Sequence, residues 1–260
     1  MKVIILAGGR GTRLREETEF RPKPMVEIGG KPILWHIMKM YAFYGFTDFV
    51  LCTGYKAEII KEYFLNYETM NNDFTIKLGS RNQIDFHSDH SEKGWSVTIA
   101  DTGEVAMTGA RIKRVEKYID TEEFMLTYGD GLADINIKKL LEFHRSKNKI
   151  GTVTGVRPAS RFGEIVVEGG KVREFSEKPQ SSEGHINGGF FVFKKKFLQY
   201  LSAKDSCVLE KDPLEKLAKE GNLSMYFHPG FWYCMDTYRD HEYLKDLWQK
   251  GEAPWKIWRP

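Results

Sequence analysis

Short unbroken apolar runs alternate with helical spacings along the first third of the chain. Val3-Ile4-Ile5-Leu6-Ala7 is continuous and of strand length, which predicts a strand covered on both faces. From Ile33 to Tyr44 the apolar residues Ile33, Ile37, Met40, Tyr41 and Tyr44 recur at three- and four-residue spacing, and Gly45 follows. That pattern predicts a helix with a glycine stop. Phe49 to Cys52 reads as a second buried strand and Ala57 to Tyr67 as a second helix. Repeated strand–helix units predict an α/β architecture with a mixed, mostly parallel sheet and helices on both faces.

The rhythm breaks over 74–102. Alternating segments (Phe74 to Leu78, Ile84 to Phe86, Val97 to Ile99) are separated by polar turns, and predict a small inserted antiparallel β element or loop. Helical spacing resumes from Met107 to Tyr118 and from Ile137 to Arg145, around a strand at Phe124 to Leu126. Short strands are expected near 150–156, 164–167 and 171–175, then the apolar strand Phe190 to Phe193 and helices near 213–220 and 237–249. No repeat or low-complexity linker divides the chain, so residues 1–260 are expected to form one domain.

Composition narrows the classes. Of 260 residues, 41% are hydrophobic and 29% charged, which excludes a disordered chain. The net charge of +3 comes from scattered basic residues, so no nucleic acid is expected as a partner. No apolar run approaches the roughly 20 residues that span a bilayer, so no membrane is expected either. Residues 1–7 lead directly into Gly8-Gly9-Arg10, a strand entering a loop rather than a signal peptide. Three distant cysteines suggest neither a disulfide framework nor a zinc site, and a cytoplasmic setting is expected. His87-Ser88-Asp89-His90 sits in a polar irregular stretch and reads as an exposed loop rather than a metal site.

After the first strand comes Gly8-Gly9-Arg10-Gly11-Thr12-Arg13-Leu14. Its glycines let the backbone turn sharply and present N–H groups to phosphate oxygens. A dinucleotide fingerprint would need glycine where Leu14 stands, and a Walker loop would need a following Gly-Lys-Ser/Thr. Arg10, Arg13, Arg15, Arg21 and Lys23 crowd within fourteen residues, with Pro22 and Pro24 stiffening the chain around Lys23. Fixed cations beside an anion nest suit a triphosphate; a solvated basic loop would need neither the prolines nor the glycines. Asp130 follows an apolar strand between two glycines, where an open α/β sheet places its ligands. It reads either as an Asp-Gly turn or as a ligand for a hard divalent cation. Asp236 precedes the last predicted helix and reads either as its N-cap or as a second carboxylate ligand.

Leu6-Ala7-Gly8-Gly9-Arg10-Gly11-Thr12-Arg13-Leu14 with Arg21-Pro22-Lys23-Pro24-Met25 strongly resembles the signature of sugar-1-phosphate nucleotidylyltransferases. Tyr128-Gly129-Asp130, Gly163, Glu177-Lys178-Pro179, Asn187-Gly188-Gly189 and Met235-Asp236-Thr237 continue the likeness in order. The resemblance implies a Rossmann-like nucleotidyltransferase fold that joins a nucleoside triphosphate to a sugar 1-phosphate and releases pyrophosphate. It implies Lys23, Arg13 and Asp130 as catalytic, and Mg²⁺ on Asp130 and Asp236. The nucleotide falls to Leu6, Ala7, Gly8, Gly9, Gly11, Thr12, Tyr128 and Gly129, with Thr108 and Arg111 expected to face the triphosphate. Glu177, Lys178, Asn187 and Gly188 fall to the sugar phosphate. The stretch from Lys23 to Ile37 and the tail from Pro229 through Trp255 look most like the family members that use CTP and α-D-glucose 1-phosphate. That closer likeness implies CDP-glucose for deoxysugars of bacterial surface polysaccharide, and a homohexamer. Residues 223–260 are then expected on the sugar and metal side and at subunit contacts. A uridylyl- or thymidylyltransferase, and a non-catalytic nucleotide-sugar-binding subunit, remain open on the sequence.

Overall fold

Seven strands build the main sheet of the computed structural model, which describes residues 1–79, 83–157, 164–168, 171–176 and 184–258. They are Lys2–Leu6 (β1), Asp48–Thr53 (β2), Ser96–Asp101 (β3), Glu123–Tyr128 (β4), Gly151–Val156 (β5), Ile186–Lys194 (β6) and Leu223–His228 (β7). Their spatial order is β7-β5-β6-β4-β1-β2-β3. β6 runs antiparallel to both of its neighbours, and every other adjacent pair is parallel. The expected mixed, mostly parallel α/β sheet is therefore present.

The period-two alternation of β1 explains why its whole run is apolar. Val3, Ile5 and Ala7 pack into one core, while Ile4 and Leu6 pack into the other. The first core is completed by Ile33–Phe43 (α1), Ala57–Leu65 (α2), Ile137–Lys147 (α4) and Tyr238–Gln249 (α6). The second lies under Thr108–Arg114 (α3) and Asp212–Lys219 (α5).

Three expectations need correction. The segment around Val97 to Ile99 is not part of the inserted element: it is β3, parallel to β2 at the sheet edge. Its polar alternation reflects an edge position with one strand neighbour. The inserted element proper is the antiparallel pair Phe74–Ile76 and Ile84–Phe86. β7 was not expected as a strand, because Met225 and Phe227 lie on a half-exposed edge and break the apolar run. The helix expected over Met107 to Tyr118 is α3 followed by a separate 3₁₀ turn at Glu116–Tyr118.

The chain end is fastened across α1. Glu27–Ile28 and Lys31–Pro32 form a two-residue hairpin through Gly29 and Gly30, whose φ angles of 60° and 77° suit a type I′ turn. α6 lies on this hairpin, where His241 Nε2 meets Glu27 O at 2.8 Å. The Trp248, Trp255 and Trp258 rings surround the fully buried His36. Burial lowers the pKa of that imidazole to about 4, so it is neutral at physiological pH. A Cβ at Gly29 would lie 1.9 Å from Trp248 Nε1 on a left-handed backbone. Gly29→Ala should therefore destabilise the protein by at least about 1–2 kcal/mol, the usual penalty of that conformation alone. Thermal unfolding checks it, and an unchanged melting temperature contradicts the packing of α6 described here.

Candidate active site

The short strand Gly131–Ala133 just beyond β4 pairs antiparallel with Trp232–Cys234, setting Gly131 opposite Cys234. Met235 N donates to Asp130 O at 2.9 Å. This backbone pairing is what carries Asp236 to Asp130. From a third direction, the 3₁₀ turn Lys23–Met25 buries Pro24 and Met25 and leaves the Lys23 side chain to reach inward. Its Nζ donates to Asp130 Oδ2 and to Asp236 Oδ1, both at 2.7 Å. Arg13 Nη1 donates to Asp236 Oδ2 at 2.9 Å from the solvent side.

The helix cap is a separate matter. Thr237, not Asp236, is the N-cap of α6: its side chain accepts from Asp240 N, and Asp240 accepts in return from Thr237 N at 2.7 Å. This capping box frees the Asp236 carboxylate for the cluster. The cap reading of Asp236 is thereby corrected.

A cavity of about 340 Å³ opens beside this cluster at the carboxyl ends of β1 and β4. Leu6, Gly8, Gly9, Gly11, Thr12, Arg13 and Lys23 line it, as do Thr108, Arg111, Tyr128, Gly129 and Asp130. Ala7 is fully buried and supports the loop from behind. Leu14 is also fully buried, which explains a leucine where a dinucleotide loop would carry glycine. The basic residues of the loop disperse. Arg10 pairs with Glu104 at 2.8 Å, and Arg21 pairs with Glu27 at 3.1 Å, so of these cations Arg13 and Lys23 line the cavity. The Arg15 side chain lies outside the described residues.

Arg111 lines the cavity at its back wall, held there by bonds within the protein. The residue is 4% exposed, and its guanidinium donates to acceptors of the protein itself. It donates to Gly8 O (2.9 Å), Thr53 O (3.0 Å), Thr102 Oγ1 (2.8 Å) and Gly103 O (2.8 Å). A Cβ at Gly8 would sit 2.1 Å from Arg111 Nη1, so only glycine admits this clamp. Arg111 is a positioning residue that ties the glycine loop to the ends of β2 and β3. Thr108 is likewise engaged, donating to Glu210 Oε2 at 2.7 Å.

On the sugar side, Asn187 Nδ2 donates to Tyr128 Oη at 3.1 Å and Gly188 O accepts from Trp232 Nε1 at 2.7 Å. Asn187 and Gly188 therefore stand at the same end of the sheet as Tyr128. Glu177, Lys178 and Gly163 lie outside the described residues. Sequence reasoning missed Glu210, which accepts from both Thr108 and Tyr128 and ties the two rims together. No local motif marks it. The His87–His90 stretch is exposed at His87, while His90 turns inward against the Tyr67 ring.

Burial by itself would lower the Lys23 pKa, but the Asp130 charge and the hydrogen bonds to both aspartates outweigh it and raise it. For Asp236, burial would raise the pKa, and the Lys23 hydrogen bond and charge with Arg13 more than reverse that. Asp130, Cys234 and Asp236 place one ligand atom each within 4.8 Å of the others. Burial and the Asp130 charge push the Cys234 thiol upward, so it stays protonated. Two carboxylates without a thiolate, already gathered around one cation, are an oxygen donor set that fits a hard divalent metal.

A glycine loop beside paired carboxylates, at the carboxyl ends of parallel strands, is an arrangement suited to nucleotide transfer. A family model described as nucleotidyl transferase matches residues 2–248, and the chain belongs to that family. It is 51% identical, over 99% of this chain and 100% of the relative, to Glucose-1-phosphate cytidylyltransferase of Salmonella typhi. It is 46% identical, over 99% and 100% respectively, to a Probable glucose-1-phosphate cytidylyltransferase of Bacillus subtilis. Among solved structures, HddC from Yersinia pseudotuberculosis matches with a TM-score of 0.68 at 25% identity, covering 95% of this chain and 99% of that one.

Thr237→Ala should cost about 1 kcal/mol of stability, as loss of an N-cap does. Asp236→Asn should behave differently, because its contribution is ionic. A lowered folded pKa means stability that is present above the ordinary 3.8 and lost as pH falls through the folded value. The gap between wild type and Asp236→Asn should therefore be open at pH 7 and close in acid. Melting curves across pH check this; a pH-independent gap contradicts it.

Proposed function

We propose that the protein transfers the cytidylyl group of CTP to α-D-glucose 1-phosphate, giving CDP-glucose and pyrophosphate. The observation that carries the transfer chemistry is the meeting of the glycine loop, Lys23 and two carboxylates at the carboxyl ends of β1 and β4. The full-length likeness to two cytidylyltransferases supplies the base and the sugar.

In this reading, a phosphate oxygen of glucose 1-phosphate attacks the α-phosphorus of CTP in line. The new P–O bond forms as the bond to the β-phosphate oxygen breaks, and pyrophosphate leaves with that electron pair. The attacking oxygen is already an anion, so no general base is needed. The barrier lies in bringing anions together and in the charge that grows on the leaving group. The loop amides and Arg13 hold the pyrophosphate portion. Lys23 neutralises the α-phosphate, while Arg111 keeps the loop in the shape that presents its N–H groups. Asn187 and Gly188, with Glu177 and Lys178, receive the sugar phosphate. Asp130 and Asp236 would hold Mg²⁺, whose charge would offset that of the reacting phosphates.

We extend the proposal to one catalytic domain per chain, working in the cytoplasm within a hexamer of identical subunits. Phe74, Ile76 and Phe86 of the inserted hairpin are 40–50% exposed, an apolar surface that subunit contact would cover. Among the described residues, no helix is long and apolar enough to cross a membrane.

Pyrophosphate release measured with glucose 1-phosphate and each of CTP, UTP, dTTP, ATP and GTP tests the assignment. CTP should be preferred by at least about 100-fold, since a site built on buried hydrogen bonds to a base can discriminate by up to about 10⁴–10⁵-fold. Equal turnover with UTP would undo the cytidylyl assignment. No turnover with any nucleotide would favour a binding subunit instead.

A further inference from the structure

The Lys23 ammonium stands between the two carboxylates that the proposed function assigns to the metal. It is 2.7 Å from an oxygen of each, and its side chain is only 11% exposed. Lys23 also lines the nucleotide cavity, so one side chain borders two different anion sites. Of its three donors, two are used on Asp130 and Asp236.

We propose that Lys23 is the built-in counter-ion of Asp130 and Asp236 and exchanges places with the divalent cation. The ammonium holds the carboxylate pair until an α-phosphate draws it into the cavity, and the pair is then free to ligate metal. This rests on the reading of Asp130 and Asp236 as the metal pair.

Three physical points carry the exchange. First, two half-buried carboxylates this close repel one another and require a cation between them, which the ammonium now supplies. Second, a divalent ion held between Asp130 and Asp236 would sit within a few ångströms of Nζ, and a monovalent and a divalent cation that close repel strongly. Each occupant therefore weakens the hold of the other. Third, the Lys23 backbone is pinned by buried Pro24 and Met25 in a 3₁₀ turn, so the head group can swing while its anchor stays. The four-carbon stem spans the two anion sites without any movement of the fold.

The consequence is an order of events. Metal binds the bare protein poorly, and nucleotide that takes the ammonium increases metal affinity. The same transfer delivers the positive charge to the phosphate where it is needed. If Lys23 holds the pair at least nine-tenths of the time, metal binding is weakened about tenfold or more.

Mn²⁺ titration of the full chain without nucleotide, followed by the spectroscopic signal of free Mn²⁺, tests this. Lys23→Met should bind Mn²⁺ about tenfold tighter than wild type or better, because the competing cation is gone. Lys23→Gln should do the same, so the test survives if one variant fails to fold. Lys23→Arg keeps a cation in place and should stay near wild type. Equal or weaker Mn²⁺ binding by the Met and Gln variants, in a site still abolished by Asp130→Asn, would overturn the exchange and leave the metal pair standing. Mn²⁺ binding that ignores Asp130→Asn in every background would instead remove the metal pair itself, and the exchange with it.

Discussion

Two carboxylates gathered in a half-buried corner repel unless a cation stands between them, and the placement of that cation governs the rest of the site. Lys23 supplies it, with Arg13 closing the solvent side. The corner exists because Gly131–Ala133 pairs with Trp232–Cys234 and brings the end of the chain back to the tip of β4. α6 then holds that return segment, through its capping box at Thr237 and its seat on the Gly29 hairpin. A defect far from the chemistry, in the tryptophan belt around His36, would reach Asp236 by this route.

The glycine loop depends on a second cation used in the opposite manner. Arg111 is buried behind the loop and gives its donors to backbone carbonyls of Gly8 and Gly103 and to the end of β2. Its task is to fix the loop, leaving the N–H groups for a ligand. Buried arginine suits this because the guanidinium remains charged despite desolvation and carries five donors in a rigid plane. The site thus separates a charge that shapes the loop from a charge free to move.

The sequence revealed strands best where both faces are covered. β1, β2 and β4 have continuous apolar runs, and all lie inside the sheet. The two edge strands misled, because β3 and β7 each lack a neighbour on one side and alternate as a surface strand does. The glycine loop, Lys23 and Asp130 were legible because their spacing is local. Of the two readings of Asp236, the cap could already be set aside: Thr237 followed three residues later by Asp240 is the pattern of a capping box. Arg111 and Glu210 were not legible in their roles. What each does is set by partners distant in the chain, and nothing in the neighbouring residues signals a buried clamp or a bridge between rims.

The central claim is that one lysine serves the carboxylate pair and the nucleotide in turn. A crystal structure with a non-reacting CTP analogue and Mg²⁺ measures this directly. The account predicts Lys23 Nζ within hydrogen-bonding distance of an α-phosphate oxygen, with Asp130 and Asp236 both on the metal. Lys23 still bridging the two aspartates, with the metal held elsewhere, would contradict it.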